Sequence, residues 1–541
     1  MTTHTLTART ARGDIDVDRV TSTDPDLIRS YLDDAAHYPG GHASTVGRPR
    51  SEADVAALLT ASNRVLPVGD QSSLTGGATP VGGTVLSTEA LDKVVLTSQS
   101  EIRVQAGVSL RLLQDTLDRQ GAFYPPVPTY DGATAGGVVA TNAAGAATFK
   151  YGSTRDWVRG LTVVLADGGV LDLKRGEVMA HEDGFFEISS CSGRRRVDIP
   201  AYNMPDVPKR SAGYYAAPKM DVVDLFIGSE GTLGVVTDVT FAVLPHRPPS
   251  CLFWLPLSDE REAFTLVTTL RATSQATRES QDPSGIDVAA IEHLDRRSLE
   301  IVREDGAHLA AEVTIPDDTH VGLFIQLELP QHPSLTSSQA YEQIANALEP
   351  ATPDTPLVRI CRVFDSAGVL GRVEVALPND RRRRNQLLAM REAVPEGVNR
   401  RVDAAKRVEP GIHKTAADMI APFDRFEDCL SLFRNAFAEH GLDYAIWGHI
   451  SDGNVHPNVI PTGLEDVTRG QAAILECGRS IITMGGCPMA EHGVGRNGVK
   501  QALLRDLYGE EGIRSMRKIK AALDPDWRLA PGVLFPEAPR P

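Results

Sequence analysis

The sequence lacks the cysteine pairs that bind iron–sulfur clusters and structural zinc. Its 541 residues contain only six cysteines, and none of them belongs to a Cys-x-x-Cys pair. This spacing argues against an iron–sulfur cluster or a zinc ribbon in the chain. The chain also starts without an apolar segment of signal-peptide length, and scattered cysteines are typical of a reducing compartment. We therefore expect a cytoplasmic protein.

Positive charge and long apolar runs are also scarce. The 55 Lys and Arg residues are outnumbered by 71 Asp and Glu residues, which gives a formal net charge of −16. An acidic chain does not match nucleic acid or an anionic membrane surface as its main partner. No apolar run approaches the ~18 residues that are needed to span a bilayer. We therefore expect no nucleic-acid partner and no transmembrane segment, and we interpret the basic run Arg381–Arg384 as the solvated start of a helix.

A Rossmann site is not indicated in the first glycine-rich loop, at 69–77, because this loop is not a Gly-x-Gly-x-x-Gly turn that opens a helix. Instead, the N-terminal half carries three glycine-rich stretches, at 69–77, 128–145 and 227–234. In the first, small residues let the backbone approach a ligand, and successive N–H groups and hydroxyls can surround a pyrophosphate. The second has few bulky side chains, which suits a large flat ligand lying against it. Each stretch alone could also be a simple turn.

The segment Tyr444–Pro461 carries the strongest local signal in the C-terminal half. Two apolar runs flank Asp452-Gly453, and this pattern predicts a β-hairpin with a two-residue turn. In that register His449 directly faces His456, with Cβ atoms about 5 Å apart. Two imidazoles at this distance can share a divalent metal ion, or they can form a hydrogen-bonded pair in the core without one.

A second polar segment, Met489–Gly495, favours the metal over the core pair. It offers the carboxylate of Glu491 and the imidazole of His492 in a glycine-flanked turn. Two histidines and one carboxylate are a common ligand set for a catalytic metal with open positions. Adjacent side chains in extended backbone point in opposite directions, so Glu491 and His492 are not expected to bind the same ion.

These motifs resemble those of the FAD-linked D-2-hydroxyacid dehydrogenases, the D-lactate dehydrogenase and glycolate oxidase D-subunit group of the vanillyl-alcohol-oxidase (PCMH-type) superfamily. The resemblance rests on the three glycine-rich stretches, above all on Ile-Gly-Ser-Glu-Gly-Thr-Leu-Gly at 227–234. In the second half it rests on the two histidine-containing segments and on the tail at 516–532. It extends over about residues 25–535, which is nearly the whole chain.

The resemblance implies an α+β fold with two main domains. We expect a PCMH-type, two-subdomain FAD-binding domain at 25–247. The C-terminal FAD-linked-oxidase domain, a substrate or cap domain with an antiparallel sheet and flanking helices, is expected at 248–489. The segment 490–541 is expected to return to the FAD-binding domain, and 1–24 to form a flexible N-terminus. Proline-rich sequence independently indicates a linker near the first boundary, and 175–210 is interpreted as an insertion or long loop.

The cofactor that the resemblance implies is FAD, bound non-covalently because the first glycine-rich loop contains no histidine for a covalent link. The implied FAD-binding residues are Pro67, Gly69, Asp70, Gln71, Ser72, Ser73, Leu74, Thr75, Pro128, Gly132, Ala133, Thr134, Gly137, Thr141, Asn142, Gly145, Gly152, Glu230, Gly234, Val235 and Val236. One of them departs from the family, because Asp70 stands where glycine is usual. An acidic side chain beside a pyrophosphate is unfavourable unless it points away or contacts another group.

The reaction that the resemblance implies is oxidation of a D-2-hydroxy acid of the D-lactate, glycolate or 2-hydroxyglutarate class. The product would be the 2-oxo acid, with hydride transfer to flavin N5. A divalent metal, zinc or manganese, held by His449, His456 and Glu491 would lower the pKa of the substrate hydroxyl and orient it. His492 would take the hydroxyl proton as general base.

The candidate substrate contacts begin with Arg391, which aligns with the arginine that binds the substrate carboxylate in relatives. It also belongs to the expected catalytic set, because a guanidinium binds a carboxylate bidentately. A surface salt bridge on a helix is the alternative role. Asn458 and Lys414 are further candidates, although a strand-edge position would also explain Asn458. Two departures affect the distal end of the substrate, where Ala416 replaces the relatives' lysine and Pro395 replaces a polar contact of some relatives.

The expected partners are a small 2-hydroxy acid and an electron acceptor, which would be a quinone, a cytochrome or an electron-transfer flavoprotein. Contact with the acceptor could also bring the cytoplasmic protein to a membrane surface, and a homodimer is left open. Two alternatives to the dehydrogenase remain at this point. One is a flavin electron-relay subunit of a larger glycolate-oxidase-type complex, and the other is an oxidase that uses O2.

Overall fold

The computed structural model describes residues 3–13, 17–96, 98–126, 128, 130–331 and 335–536. It consists of two compact units. Unit 1 comprises Met1–Gly145, Gly152–His246 and Gly478–Pro541, and unit 2 comprises Ala146–Tyr151 and Arg247–Cys477. The boundary after His246 lies in the proline-rich segment. The boundary after Cys477 lies before residue 489, where the sequence predicts the C-terminal domain to end. Residues 1–2, 14–16 and 537–541, which belong to the predicted terminal segments, lie outside the described residues.

The strands and helices of the described residues are numbered in chain order. The strands β1 to β22 are Thr5–Thr7, Thr21–Ser22, Thr45–Gly47, Val65–Val68, Thr84–Ser87, Val94–Leu96, Glu101–Gln105, Ala122–Phe123, Val158–Val164, Val170–Lys174, Phe185–Ser190, Gly193–Asp198, Val235–Ala242, Leu244–Pro245, Ser250–Leu257, Asp287–Leu294, Val321–Glu328, Glu374–Ala376, Thr415–Ala416, Met419–Ile420, Tyr444–His449 and Asn454–Val459. The α-helices α1 to α17 are Val17–Val20, Pro25–Arg29, Glu52–Ala61, Leu110–Asp118, Ala135–Thr141, Thr148–Tyr151, Thr154–Trp157, Val222–Phe226, Glu260–Ser280, Arg296–Glu304, Ala307–Ala310, Ser337–Ala345, Pro356–Ser366, Arg381–Val408, Phe426–Glu439, Leu464–Thr483 and Gly498–Leu523. Two short 3₁₀ helices are Leu370–Arg372 and Phe423–Arg425. Among the described residues, no helix combines the length and the apolar character needed to cross a membrane.

Unit 1 is built from two main sheets that share the core formed by helix α3. The four-stranded sheet has the order β2-β3-β5-β4, and the five-stranded antiparallel sheet has the order β10-β9-β13-β7-β6. Helix α3 begins after Ser51, whose hydroxyl accepts the N–H of Asp54 at 3.2 Å and so caps the helix. The buried side chain of Leu58 packs in one cluster with Val65 of the first sheet and Val235 of the second. Unit 1 is therefore an α+β unit, as predicted.

Two segments that the sequence predicts to be irregular contain strands. Strand β1 pairs in parallel with β11, and Arg9 contacts Glu52 and Asp172, each at 2.6 Å. Residues of the segment 1–24, for which a flexible N-terminus is predicted, are therefore paired with other parts of unit 1. Strands β11 and β12 form an antiparallel hairpin within 175–210, where an insertion or long loop is predicted. Strand β12 is largely exposed and rich in arginine, so its sequence has little apolar periodicity.

Unit 2 is an eight-stranded antiparallel sheet with flanking helices, which agrees with the prediction. The strand order is β18-β15-β17-β16-β21-β22-β19, and β20 also pairs with β22. On one face Trp254, Phe324 and Trp447 belong to a core that includes residues of α10 and α14. Phe253, the preceding residue of β15, points to the other face, and its ring centroid lies 5.4 Å from that of Phe364 in α13.

The hairpin of β21 and β22 differs from the prediction in its register. His449 pairs with Asn454 and Trp447 pairs with His456, so Ile450–Gly453 form a four-residue loop. The prediction of a two-residue turn with the two histidines directly opposed is therefore wrong. A type I′ turn needs φ > 0 at both central residues, but only the last loop residue has it, with a φ of 89°. The register differs by two residues, which keeps both histidines on one face of the sheet.

Candidate active site

One carboxylate in unit 2, that of Glu292 in β16, connects two of the predicted site residues. Its Oε2 atom accepts a hydrogen bond from Nε of Arg391 at 2.8 Å and lies 2.6 Å from Nη2. Its Oε1 atom accepts a hydrogen bond from Nδ1 of His449, at the end of the neighbouring strand β21. All three side chains are buried. Arg391 is therefore not the surface salt bridge that the sequence left open.

The charges in this group determine which ring nitrogen of His449 carries the proton. Burial by itself would raise the pKa of Glu292, but the guanidinium of Arg391 and the imidazole of His449 outweigh it and hold this pKa well below its usual value. Glu292 is therefore ionised and can only accept hydrogen bonds, so Nδ1 of His449 carries the proton. In neutral His449 the lone pair is consequently on Nε2. This tautomer is the one in which a histidine supported by a carboxylate binds a metal.

His456 lies beside His449 on the same face of the sheet. The two ring centroids are 5.3 Å apart, and the ring planes meet at 86°. Nδ1 of His456 is 3.6 Å from Oδ1 of Asp418, and this oxygen accepts a hydrogen bond from Asn454 at 3.1 Å. The two imidazoles therefore have the proximity and the carboxylate neighbours that support a pair of metal ligands.

Asn458 and Lys414, the two remaining substrate candidates, also lie in unit 2. The amide nitrogen of Asn458 donates to the carbonyl of His456 at 2.9 Å, and its buried Oδ1 atom has no hydrogen-bond donor within the described residues. A buried acceptor without a donor is rare in folded proteins, so this atom is suited to a ligand. Nζ of Lys414 donates to Oδ1 of Asn399 at 3.1 Å, and burial lowers the pKa of Lys414 to about 8.

In unit 1 the three glycine-rich stretches lie together around helix α5. Gly69 is so close to Thr134, the N-cap of α5, that an added Cβ would lie 2.3 Å from the threonine hydroxyl oxygen. The backbone N–H groups of Gly228 and Glu230 donate to carbonyls of α5 at 2.9 and 2.8 Å. Residues of all three stretches are therefore neighbours in the structure, although they are far apart in the sequence.

The unusual acidic residue of the first glycine-rich loop, Asp70, has a partner in the second stretch. The hydroxyl of Tyr130 donates to Oδ2 of Asp70 at 2.7 Å, and this hydrogen bond raises the pKa of Tyr130. Asp70 thus contacts another group, which is one of the two arrangements that the sequence left open. The bond also ties the first stretch to the second.

Glu230, in the third glycine-rich stretch, fixes the turn that follows His492. Its two carboxylate oxygens accept the backbone N–H groups of Val494 and Gly495, each at 2.8 Å. Burial raises the pKa of Glu230 to about 7, although both hydrogen bonds favour the ionised form. This predicted cofactor residue therefore also supports the backbone beside the predicted base.

Glu491 and His492 belong to unit 1, whereas the two hairpin histidines belong to unit 2. Nζ of Lys209, which is fully buried, lies 2.6 Å from Oε1 of Glu491. Nε2 of His492 lies 3.9 Å from Oε2 of Glu491, and 30% of the His492 side chain is exposed. Glu491 therefore has a cation beside it within its own unit, and His492 remains accessible to solvent.

Sequence reasoning missed Glu292 and Lys209, the two charged residues that hold predicted site residues. One signal for Glu292 was available, because it is the single acidic residue in the run 288–294, which is apolar apart from Glu292 and His293. A charge in a buried strand is tolerated only when it is paired, so such a residue indicates a partner. Lys209 lies in a proline- and arginine-containing segment, where a lysine gives no comparable signal.

Comparison with protein families decides the class of the chain. The family described as FAD linked oxidases, C-terminal domain, matches residues 258–534, slightly more than half of the chain. The FAD binding domain family matches residues 43–174. The chain belongs to the FAD-linked oxidases. Its cofactor is therefore FAD, as the glycine-rich stretches predict.

This FAD-linked oxidase is similar to named enzymes along nearly its whole length. It is 26% identical over 498 residues to a D-lactate dehydrogenase of Archaeoglobus fulgidus, with 90% of each chain covered. It is 28% identical over 528 residues to the mitochondrial D-2-hydroxyglutarate dehydrogenase of Bos taurus, with 95% of this chain and 81% of that one covered. A solved structure of p-cresol methylhydroxylase with substrate bound matches with a TM-score of 0.64 at 14% identity, covering 96% and 94% of the two chains. This likeness confirms the PCMH-type fold.

The surface around α5 fits the FAD of this FAD-linked oxidase. A Cβ added to Gly137 would meet only the hydroxyl oxygen of Thr134, at 3.1 Å, so the helix is open at this point. The first loop contributes backbone N–H groups and the hydroxyls of Ser72 and Ser73, which are donors that a pyrophosphate can accept. Small residues and donors are therefore combined where a flat, doubly phosphorylated cofactor requires them.

Proposed function

We propose that this FAD-linked oxidase oxidises a D-2-hydroxy acid of the D-lactate, glycolate or 2-hydroxyglutarate class to the 2-oxo acid. The observation that carries the proposal is the buried group of Arg391, Glu292 and His449, which sets a cation beside an imidazole. A 2-hydroxy acid has a carboxylate and a hydroxyl on adjacent carbons, and these groups match the cation and the imidazole. The names of the two relatives, which include D-lactate and D-2-hydroxyglutarate, support the same class.

In the proposed mechanism each polar group of the substrate has a partner in the chain. Arg391 binds the carboxylate with guanidinium N–H groups that Glu292 does not occupy. Asn458 orients the hydroxyl through its buried Oδ1 atom, and His492 takes the hydroxyl proton as general base. Lys414 provides a further cation for the distal end of a longer substrate. Bound FAD would supply the two-electron acceptor, flavin N5, for the hydride that leaves C2.

We propose that a divalent metal, zinc or manganese, is held by His449, His456 and Glu491. Two observations within unit 2 support it: the lone pair of neutral His449 is on Nε2, and the second imidazole lies 5.3 Å away. The metal would lower the pKa of the substrate hydroxyl and orient it. The absence of histidine from the first glycine-rich loop supports non-covalent attachment of FAD.

The proposed activity is tested by mixing the flavin-loaded protein with D- and L-2-hydroxy acids under anaerobic conditions and following the flavin absorbance. A D-2-hydroxy acid is expected to bleach the flavin, and its L-enantiomer is not. Turnover with an artificial dye, and peroxide production in air, then distinguish a dehydrogenase from an oxidase. The expected natural acceptor is a quinone, a cytochrome or an electron-transfer flavoprotein. Flavin that no hydroxy acid bleaches would overturn the proposal.

Substitution of Arg391 by lysine is expected to raise the KM for the 2-hydroxy acid about 30-fold, which corresponds to roughly 2 kcal/mol. Lysine keeps the charge but loses the planar fork, so it cannot hold Glu292 and a carboxylate together. Steady-state kinetics with the preferred acid measure the effect. Arg400→Lys, at an exposed position of the same helix, is the matched control and should leave KM unchanged. An unchanged KM in Arg391→Lys would show that another residue binds the substrate carboxylate, and Lys414 is the next candidate.

A further inference from the structure

We infer that Glu292 is a positioning residue that makes the protein select 2-hydroxy acids over their 3-hydroxy isomers. The inference rests on the proposed function and deepens it. Its basis is that one carboxylate holds two groups: Oε2 holds the guanidinium of Arg391, and Oε1 holds the imidazole of His449. Covalent geometry fixes the separation of the two carboxylate oxygens. The guanidinium and the imidazole therefore cannot move apart independently.

The elements that carry these three side chains are themselves held in place. Glu292 pairs with Phe324 in β17, and the next residue of β16 pairs with Gly448 in β21, so Glu292 lies in the interior of the sheet. On α14 the neighbours of Arg391 along the helix, Met390 and Val394, are fully buried in the core of unit 2. Interiors are close-packed, so displacement of one member of the group would require the core to rearrange. The spacing set by Glu292 is consequently rigid.

A rigid spacing discriminates between positional isomers. A 2-hydroxy acid carries its hydroxyl on the carbon next to the carboxylate, whereas a 3-hydroxy acid carries it one carbon further away. If the carboxylate is bound by Arg391, only the first isomer presents its hydroxyl at the position fixed by His449. The second isomer must leave one polar group without its partner, and a site built around hydrogen bonds strongly rejects such a ligand.

The test compares the preferred 2-hydroxy acid with its 3-hydroxy isomer in the wild-type protein and in Glu292→Gln. Glutamine has the same shape but no charge, and one of its two terminal atoms is a donor, so it cannot accept from the guanidinium and from a protonated Nδ1 on separate oxygens as Glu292 does. We expect kcat/KM for the 2-hydroxy acid to fall about 10–100-fold, the usual effect of losing a carboxylate that orients such ligands. Activity on the 3-hydroxy isomer, which does not use this spacing, is expected to fall much less, so that the discrimination between isomers decreases.

Asp295→Asn is the matched control. Asp295 is a buried carboxylate three residues further along the chain, where it accepts the N–H and hydroxyl of Ser298 and caps α10. Asparagine also caps helices, so the charge is removed without loss of the cap. The control should leave the ratio of kcat/KM for the two isomers at its wild-type value. If Glu292→Gln lowers kcat/KM for both isomers by the same factor, Glu292 is only a structural residue and the inference is overturned.

A second measurement separates this inference from the proposed function. The ¹⁵N shifts of the ring nitrogens of His449, assigned by their disappearance in His449→Gln, report which nitrogen carries the proton without any substrate. We expect the proton on Nδ1 in the wild-type protein, with the low-field ¹H shift of a donor to a carboxylate, and a move of this ¹H shift and of the Nδ1 ¹⁵N shift in Glu292→Gln, where the carboxylate is lost. Fixed Nδ1 protonation together with no hydroxy-acid oxidation would overturn the proposed function alone. Unchanged shifts in Glu292→Gln would overturn the positioning role.

If Glu292→Gln does not fold, Glu292→Asp takes its place. Aspartate keeps the charge but is too short to reach both partners, so the same loss of discrimination between the isomers is expected.

Discussion

Substitution of His492 by glutamine is expected to slow the reduction of bound FAD by a D-2-hydroxy acid about 10²–10⁴-fold, the usual contribution of a positioned general base. Glutamine is similar in size, but it does not take up a proton near neutral pH. The turn should keep its shape, because Glu230 holds the backbone N–H groups of Val494 and Gly495. Anaerobic stopped-flow absorbance with a saturating concentration of the preferred acid measures the rate.

The control for this experiment is His320→Gln, since His320 is an exposed histidine of unit 2. Its rate of flavin reduction should equal that of the wild-type protein. The FAD content of all three proteins should also be the same, because His492 is not among the residues assigned to the cofactor. A rate in His492→Gln less than about tenfold below wild type would assign the base to another residue.

Substitution of His449 or His456 by alanine is expected to abolish both divalent-metal binding and turnover while FAD stays bound. Each histidine supplies one of only three proposed protein ligands, and a catalytic metal held by fewer is not retained. The flavin stays because its glycine-rich stretches belong to unit 1. Elemental analysis of the purified proteins gives the metal content, and absorbance after acid precipitation gives the flavin content.

His293→Gln distinguishes loss of a ligand from loss of a buried histidine. His293 follows Glu292 in β16 and is buried, and burial lowers its pKa to about 3, so it is neutral in the folded protein. This variant should lose stability but keep its metal and its turnover. If all three variants lose stability together, and the wild-type protein holds no divalent metal and is indifferent to chelators, His449 and His456 form the core pair that the sequence left open.

The hairpin shows which part of a site the sequence can predict. Alternation along the strands is enough to put His449 and His456 on one face, and it survives a shift of two residues. The observed four-residue loop also contacts a distant strand: the hydroxyl of Ser451 accepts the backbone N–H of Ile291 at 3.1 Å, and the N–H of Ser451 donates to the Ile291 carbonyl. Such a contact joins residues separated by 160 positions, so no local pattern contains it.

The same limit applies to the residues that hold the predicted site in place. Motifs and the family resemblance predict Arg391, Glu491 and the glycine-rich stretches, because the residue types and spacings are those expected for binding a ligand. Glu292 and Lys209 act on other side chains, and their partners are set by the packing of distant elements rather than by neighbours in sequence. The fold class could therefore be predicted from the motifs, whereas Glu292 and Lys209, the charged residues that contact the predicted site residues, could not.

The division of unit 1 into separate chain segments also sets an order for its assembly during protein synthesis. Arg496 donates to the carbonyls of Gly76 and Thr79, at the end of the first glycine-rich loop, and to that of Pro531. The backbone N–H of Val65 donates to the carbonyl of Arg528 at 2.8 Å. These contacts form only after the ribosome has made all of unit 2. The first glycine-rich loop, to which the pyrophosphate is assigned, therefore gains these contacts only at the end of synthesis, and we expect the flavin to be loaded after translation.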